Sequence, residues 1–492
     1  MSIDLPGKSG SCWTVDLSAS RYPSLQASLH AETVVVGAGI VGLTTALRLR
    51  EQGHEVAVIE ALDVGGQVTG RSTAKITTQH RLIYHQLIEL RGRELAQQYA
   101  DANKAGCDLV RSWVEQHAIT CDFEDREAYV YTQDPGRRDE IVAEATAAQS
   151  LGIDAAILSR APLPFETAAA LRFPGQAQFN PAKYLDGLAK AFVESGGLLF
   201  ERSRARLIDE ASRWRVVTDN GNVHAENVVV ATNMTVKSPL GMARRTQPRM
   251  HIAMAFRTDD VRLLDGMFIS LEEPSRSLRM GRDPDGSLLI VLGPRFNTGQ
   301  DGDVASRFRE LETWVRRHFE VGDTAWRWCN EDYDTSDRIA YVGEPDPEKA
   351  PGFYIATGFN AWGISNGTAA GMLIGDLILG RQSRWKALYD PKRSAPDDFH
   401  HDGKSQSIVT SVEEIEVGHG GVIEKGAEKI AVCRDSRGEL HVLSAKCTHK
   451  GCTVTWNNAD LTWDCPCHGS IFSADGSVIH GPAKDPLPQA TL

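Results

Sequence analysis

No stretch limits the fold of this chain more than the one from Thr33 to Glu60, TVVVGAGIVGLTTALRLREQGHEVAVIE. Thr33 to Val36 is a short apolar run of strand character, and the turn Gly37-x-Gly39-x-x-Gly42 follows at once. Ile40 to Glu51 then has helical character, Gly53 stops it, and Glu55 to Ile59 is a second β-branched run ending at Glu60. A strand, a glycine turn, a helix and a strand in about thirty residues predict a Rossmann-type α/β unit. In such a unit Gly37 allows the tight turn, Gly39 lets the backbone approach a pyrophosphate, and Gly42 lets the helix lie close to the strand. The anion rests at the helix N-terminus, where free N–H groups and the dipole favour negative charge. Glu60 is placed to accept from ribose hydroxyls and disfavours a 2′-phosphate. The glycines alone do not say which dinucleotide is bound.

With 492 residues the chain has room for two to four domains. Its 41% hydrophobic and 24% charged residues are those of a globular protein, not a disordered or disulfide-stapled one. Formal charge is −12, from 53 basic and 65 acidic residues, with no basic stripe, so a nucleic-acid partner is not expected. The longest apolar stretches, Thr33–Leu49 and Gly363–Leu379, are broken by glycines and polar residues and predict no transmembrane segment. The N-terminus MSIDLPGKSGSCW has neither a basic-then-apolar signal nor a twin arginine, which makes the cytoplasm the expected location.

Helical pattern covers Leu82–Gln116 and Asn180–Ser195, and strands are expected at Leu198–Ile208, Arg213–Val217 and Asn227–Ala231. Residues 248–330 mix strands (His251–Arg257, Met267–Ile269, Ser287–Val291) with one helix, Arg307–Phe319, which suits an antiparallel sheet facing a substrate. A buried strand at Gly352–Thr357 precedes GFNAWGISNG and a helix to about Leu379. Residues 381–407 are charged and Pro-containing and read as a linker, beyond which short strands and Gly turns predict a small all-β domain.

Of nine cysteines, Cys12, Cys107, Cys121, Cys329 and Cys433 show no partner spacing, whereas Cys447, Cys452, Cys465 and Cys467 crowd together. Cys447-Thr448-His449 and Cys465-Pro466-Cys467-His468 form C-x-H-x15-C-x2-H. Two thiolates and two imidazoles at this spacing suit a zinc site or a Rieske 2Fe–2S centre. Each half supplies one Cys and one His, unlike the paired units of zinc fingers. The split suits a centre in which one iron takes both cysteines and the other both histidines.

The text after Glu60, ALDVGGQVTGRSTAKITTQH, and the distant GFYIATGFNAWGISNGTAAGMLIGDLILG resemble the FAD-dependent family of D-amino acid, glycine and sarcosine oxidases over about residues 31–380. The resemblance implies FAD, held by Gly37, Gly39, Gly42 and Glu60, by the loop Thr69, Gly70, Arg71, Ser72 and Thr73, and by Gly358, Gly363 and Ile364. It implies FAD-binding parts at about 31–80, 175–240 and 330–380, and a substrate region at about 81–140 and 245–330, after a leader of residues 1–30. A helix starting near Asn366 would turn its positive end toward the flavin. Lys75 and His80 are the candidate catalytic residues: Lys75 to stabilise negative charge on reduced flavin, His80 to bind substrate or accept a proton. Each reads equally well as an ordinary loop side chain. In WRWCNEDYDTSDRIAYVG, Ser336 departs from the family's proline, and Cys329 stands one position from where some members tether flavin.

CTHKGC…CPCHGSIF with Gly481-Pro482 resembles Rieske proteins over residues 408–492. That resemblance implies iron ligands Cys447, His449, Cys465 and His468, a disulfide between Cys452 and Cys467, and a Ser470 hydroxyl that donates to a bridging sulfide. Phe472 replaces the tyrosine of high-potential members, which implies a reduction potential inside the range of about −150 to +300 mV. Together these features predict an α/β FAD-binding Rossmann-type domain with an antiparallel-sheet substrate region (α+β), then a small all-β Rieske domain. The expected function is oxidation of a small substrate, an amine or amino acid, with electrons passed singly from reduced FAD through the cluster to an acceptor. The alternatives are a reductase running in the opposite direction and a flavin/iron–sulfur electron-transfer protein.

Overall fold

A computed structural model of the chain describes residues 5–14, 21–210, 213–237, 239–300, 302–395, 399 and 407–492. The opening unit folds as strand β1 (Leu29–Val36), helix α1 (Ile40–Arg50) and strand β2 (Val56–Ile59). Helices α2 (Ile83–Gln116) and α3 (Pro181–Glu194) come next, then strand β3 (Asn222–Val230). Three long strands follow, β4 (Gln247–Arg257), β5 (Gly286–Asn297) and β6 (Thr324–Asp334). Strand β7 (Phe353–Thr357) and helix α4 (Gly363–Ile378) close the larger part of the chain.

Four parallel strands in the order β7-β3-β1-β2 form the centre of the first sheet, with Val34 between Val228 and Ala57. Their near-continuous Val and Ile content is that of strands covered on both faces. Helices α1 and α4 pack side by side because α4 turns glycines toward α1. A Cβ at Gly371 would stand 2.7 Å from Thr44 Cβ, and one at Gly367 2.7 Å from Ile40 Cγ2. This close approach brings both helix N-termini to the same place.

The second sheet is mostly antiparallel and has β4 between β5 and β6. Register shifts between His251 and Ala253, where β5 carries Gly293 and Pro294 against Ile252 alone. Gly293 is required there, since its Cβ would lie 2.7 Å from Ile252 Cγ1. Residues 420–444 form a three-stranded sheet and residues 455–480 a four-stranded meander, the all-β part.

Three expectations are corrected. Leu198–Ile208 is not one strand but two, Leu198–Phe200 and Leu207–Glu210, on different neighbours. The chain turns between them at Arg202 (φ +47°), where Glu201 accepts from the backbone of Arg21, Tyr22 and Val64. The stretch expected as a leader is woven into the fold as far as it is described. Lys8–Ser9 pairs with β6, Leu5, Cys12 and Trp13 are buried, and Trp13 Nε1 donates to Ser72 O at 2.8 Å. The stretch expected as a linker is packed in its first half. Leu388 and Tyr389 are fully buried, and Arg393 grips buried Asp337 (Nε–Oδ2 2.9 Å, Nη2–Oδ1 3.0 Å). Its charges misled because they are neutralised inside the structure. Residues 396–398 and 400–406 of that stretch lie outside the described residues. Among the described residues no helix is long and apolar enough to cross a membrane.

Candidate functional site

One cavity is lined both by the glycine turn and by residues of the second sheet. Gly37, Gly39, Glu60, Thr69, Ser72 and Thr73 line it at one side, and Gly363 and Ile364 at another. Gly37 has φ +107°, and a Cβ there would stand 2.7 Å from Ala231 O. At Gly42 it would stand 1.9 Å from Gly37 O, so helix and strand meet with no room for a side chain. At Gly39 it would meet only Thr69 Oγ1, at 3.4 Å, and otherwise opens on the cavity. Neither α1 nor α4 has a side-chain cap or an acidic residue in its first turn, and both begin on the cavity. Two such helix ends form a cradle for an anionic dinucleotide. Glu60 Oε2 accepts from Ala38 N at 2.8 Å and Oε1 from Leu62 N at 2.9 Å. Burial raises its pKa and these bonds oppose that. The remaining lone pairs of a carboxylate so fixed fit a ribose diol.

Gly70 and Arg71 do not line the cavity. Gly70 makes the turn, where a Cβ would lie 1.7 Å from Gly65 O. The Arg71 carbonyl accepts from Trp328 Nε1 at 2.7 Å. Gly358 is also off the cavity: it has φ +79° and packs against Thr335. Cys329 does not line the cavity, because side chains alternate along β6 and Asn330 and Asp332 take the cavity side. It is instead buried among Met250, Phe296 and Ala459.

Lys75 and His80 both line the cavity. Lys75 Nζ donates to Phe268 O at 2.8 Å and to Ser277 Oγ at 2.6 Å, and burial lowers its pKa to about 7, helped by the Arg279 charge. An unfolded chain with an ordinary lysine binds this proton more tightly. Stability from this group therefore rises with pH from about 7 toward 10.5, and its penalty is complete below 7. Lys75→Met should raise the urea midpoint of the flavin-free protein below that pH and flatten the rise above it. An unchanged pH profile would contradict the burial of the amine.

His80 is already committed. Its Nε2 contacts Thr77 O at 2.9 Å and its Nδ1 contacts Tyr99 Oη at 2.7 Å. A carbonyl can only accept, so Nε2 carries the hydrogen and the Tyr99 hydroxyl donates to Nδ1. Burial lowers the pKa to about 3, and the ring stacks on Trp362 at 4.6 Å. This geometry suits a neutral ring that orients the start of α4 better than a proton acceptor.

Sequence reasoning missed the cavity floor. Cross-strand register sets His251 beside Arg295 on β5 and Asn330 on β6, and all three line the cavity. His251 is 5% exposed, its Nδ1 makes no hydrogen bond, and burial lowers its pKa to about 3. Asp332 accepts from Ala361 N, and burial raises its pKa to about 6. Arg81 and Arg338 also line the cavity.

At the other candidate site, Cys447, His449, Cys465 and His468 come together from two loops. The His449 and His468 rings are 4.8 Å apart, and His449 Nδ1 is buried without a hydrogen bond. A thiol–thiol contact with Cys465 lowers the Cys447 pKa to about 7, and burial lowers that of His449 to about 4. Neutral imidazoles and an easily ionised thiol are the forms that bind metal. Cys452 and Cys467 are bonded (S–S 2.01 Å) and join the two loops. Ser470 Oγ accepts from Ala483 N at 3.1 Å, which leaves its own hydrogen to donate, and Phe472 is fully buried.

The two sites meet. Ile479, His480, Gly481, Ala483 and Lys484 of the all-β part line the same cavity as Gly37 and Glu60. Thr455 Oγ1 donates to Gly299 O (2.7 Å), Arg204 Nη2 to Val478 O (3.1 Å) and Ala305 N to Asn458 Oδ1 (2.8 Å).

Residues 32–377 match the family "DAO: FAD dependent oxidoreductase", and residues 405–491 match "Rieske [2Fe-2S] domain". The chain is 29% identical to "Putative Rieske 2Fe-2S iron-sulfur protein YhfW" of Bacillus subtilis over 98% of its own length and 97% of that protein's. It is 24% identical to gamma-glutamylputrescine oxidoreductase of Escherichia coli, covering 75% of this chain and 89% of that one. Among solved structures, glycine oxidase from Geobacillus kaustophilus superposes with a TM-score of 0.61 at 17% identity, over 75% of this chain and 100% of that one. L-proline dehydrogenase from P. horikoshii gives 0.60 at 20% identity, over 75% and 97%.

Proposed function

Since this chain belongs to the family of FAD dependent oxidoreductases (DAO) and carries a Rieske [2Fe-2S] domain, we propose that it oxidises a small amine or amino acid and delivers the electrons singly to an external acceptor. The observation that carries this reading is the shared cavity, one wall of which comes from the Rieske domain. FAD would supply a two-electron hydride acceptor and the cluster a one-electron carrier.

In this reading Gly37, Gly39, Gly42 and Glu60 hold the adenosine half of FAD, and Thr69, Ser72, Thr73, Gly363 and Ile364 the flavin half. Cys447 and Cys465 would hold one iron and His449 and His468 the other, and the Ser470 hydroxyl, which accepts from Ala483 N, would have its hydrogen free to donate to the cluster. The start of α4 stabilises negative charge at the flavin, and His80 fixes that helix end. Lys75, whose burial brings its pKa down to about 7, is the group to take or hold a proton at Nζ. His251, Asn330, Asp332 and Arg295 orient the substrate against the sheet. The names of the relatives, an amine oxidoreductase and two amino-acid enzymes, support the substrate class.

Anaerobic mixing of the purified protein with a panel of amines, amino acids and hydroxy acids tests the proposal. One of the nitrogen compounds should bleach the flavin and then the cluster. Bleaching by a reduced ferredoxin or NAD(P)H and by no panel member would instead favour flow in the opposite direction.

A further inference from the structure

Over residues 330–333 strand β6 has the cavity on one side and one of the two ligand loops of the Rieske domain on the other. Asn330 and Asp332 face the cavity; Glu331 and Tyr333, on the other side, touch the loop that carries Cys465 and His468. Tyr333 Oη lies 3.1 Å from His468 O and 3.1 Å from Glu331 Oε2. Gly469 fits against this pair only because it lacks a side chain: a Cβ there would stand 2.4 Å from Tyr333 Oη and 2.5 Å from Glu331 Oε1. On the inner side the Tyr333 carbonyl accepts from Asn360 N at 3.0 Å, and Asp332 accepts from Ala361 N. Asn360 and Ala361 both line the cavity. A bonded path therefore runs from the cavity wall through Tyr333 to the main chain of His468.

Glu331 is 3% exposed, and desolvation holds its pKa well above the usual carboxylate range. The Tyr333 hydroxyl has two acceptors at 3.1 Å, Glu331 Oε2 and the His468 carbonyl, and between them they hold its position. A buried acid at a domain boundary is costly, and this bond is what it provides there.

We propose that Tyr333 is the positioning residue through which electrons cross from the flavin domain to the cluster, with Glu331 fixing the orientation of its hydroxyl. The inference rests on the two-centre reading above. One electron crosses at a time. The two crossings that follow each substrate oxidation return FAD to its oxidised form and release its proton to water. After each crossing the cluster is re-oxidised by an external one-electron acceptor, so two electrons leave per substrate and electrons and protons balance.

The test uses anaerobic holoprotein, a flash of photoexcited 5-deazariboflavin as reductant, and separate absorbance records of flavin and cluster. Tyr333→Phe should keep the flavin spectrum and the cluster EPR signal. Transfer between the centres should slow by about tenfold, the lower end of the effect of losing a partner of a metal-ligating residue. Thr455→Val, which removes another hydrogen bond across the same boundary, should keep the wild-type rate. Glu331→Gln, which keeps an oxygen that accepts from the phenol, should also keep it, and Glu331→Leu should match Tyr333→Phe. A wild-type rate in both Tyr333→Phe and Glu331→Leu, or equal slowing by Thr455→Val, overturns the inference. A wild-type protein without flavin or without a cluster signal would instead remove the reading beneath it.

Discussion

Gly39→Trp should yield a folded protein with an intact iron–sulfur signal and almost no flavin. The position is the one glycine of the turn whose side-chain direction is open: a Cβ there touches only Thr69 Oγ1, at 3.4 Å. An indole placed at that point occupies the space at the start of α1 that a pyrophosphate needs, without pressing on β1 or β2. Gly42→Ala makes the useful contrast. Its Cβ would stand 1.9 Å from Gly37 O, so helix and strand must separate, at a cost of about 1–3 kcal/mol or more. Loss of flavin from Gly42→Ala should therefore come with a lower unfolding midpoint, and loss from Gly39→Trp should not. The measurement is the ratio of flavin to protein absorbance after gel filtration. A full complement of flavin in Gly39→Trp would place the dinucleotide elsewhere.

The second large effect is expected at the metal centre. His449→Ala should abolish the EPR signal of the reduced cluster and leave flavin content unchanged. Its Nδ1 is buried with no hydrogen bond, and burial together with Lys450 and Lys484 keeps the ring uncharged. An imidazole held so has a lone pair free for a metal and nothing else nearby to take it. On the proposed assignment alanine would remove one of four ligands, and an iron left open to water is expected to be lost. Retention of a 2Fe–2S spectrum, or zinc without acid-labile sulphide in the wild type, would overturn the ligand assignment.

What could be read from the sequence was local. The turn from Gly37 to Gly42 lies between its own strand and helix, so three glycines and the β-branched runs on either side were enough to place it. The four crowded cysteines with their histidines marked a candidate metal site by spacing, and only the resemblance to Rieske proteins set Cys452 and Cys467 apart as the pair that is bonded. What depended on side-chain direction in a distant strand was not. Cys329 and Asn330 are neighbours in sequence and face opposite ways, and only the pairing of β6 with β4 decides which one meets the cavity. His251, Arg295 and Asn330 come from three segments that no periodicity connects. Residues 386–395 carry the composition of a linker, yet a single buried aspartate, Asp337, holds Arg91 and Arg393 in place. The contribution of His480 and Lys484 to the flavin-side cavity had no signal in the chain at all, because it arises from how two separately legible domains dock.

That contribution bears on how the molecule comes into being. A binding cleft whose last wall is donated by residues 479–484 is incomplete while only the glycine-turn domain has formed. Tight capture of the nucleotide is thus a late event in assembly, sealed when the C-terminal module settles onto its partner.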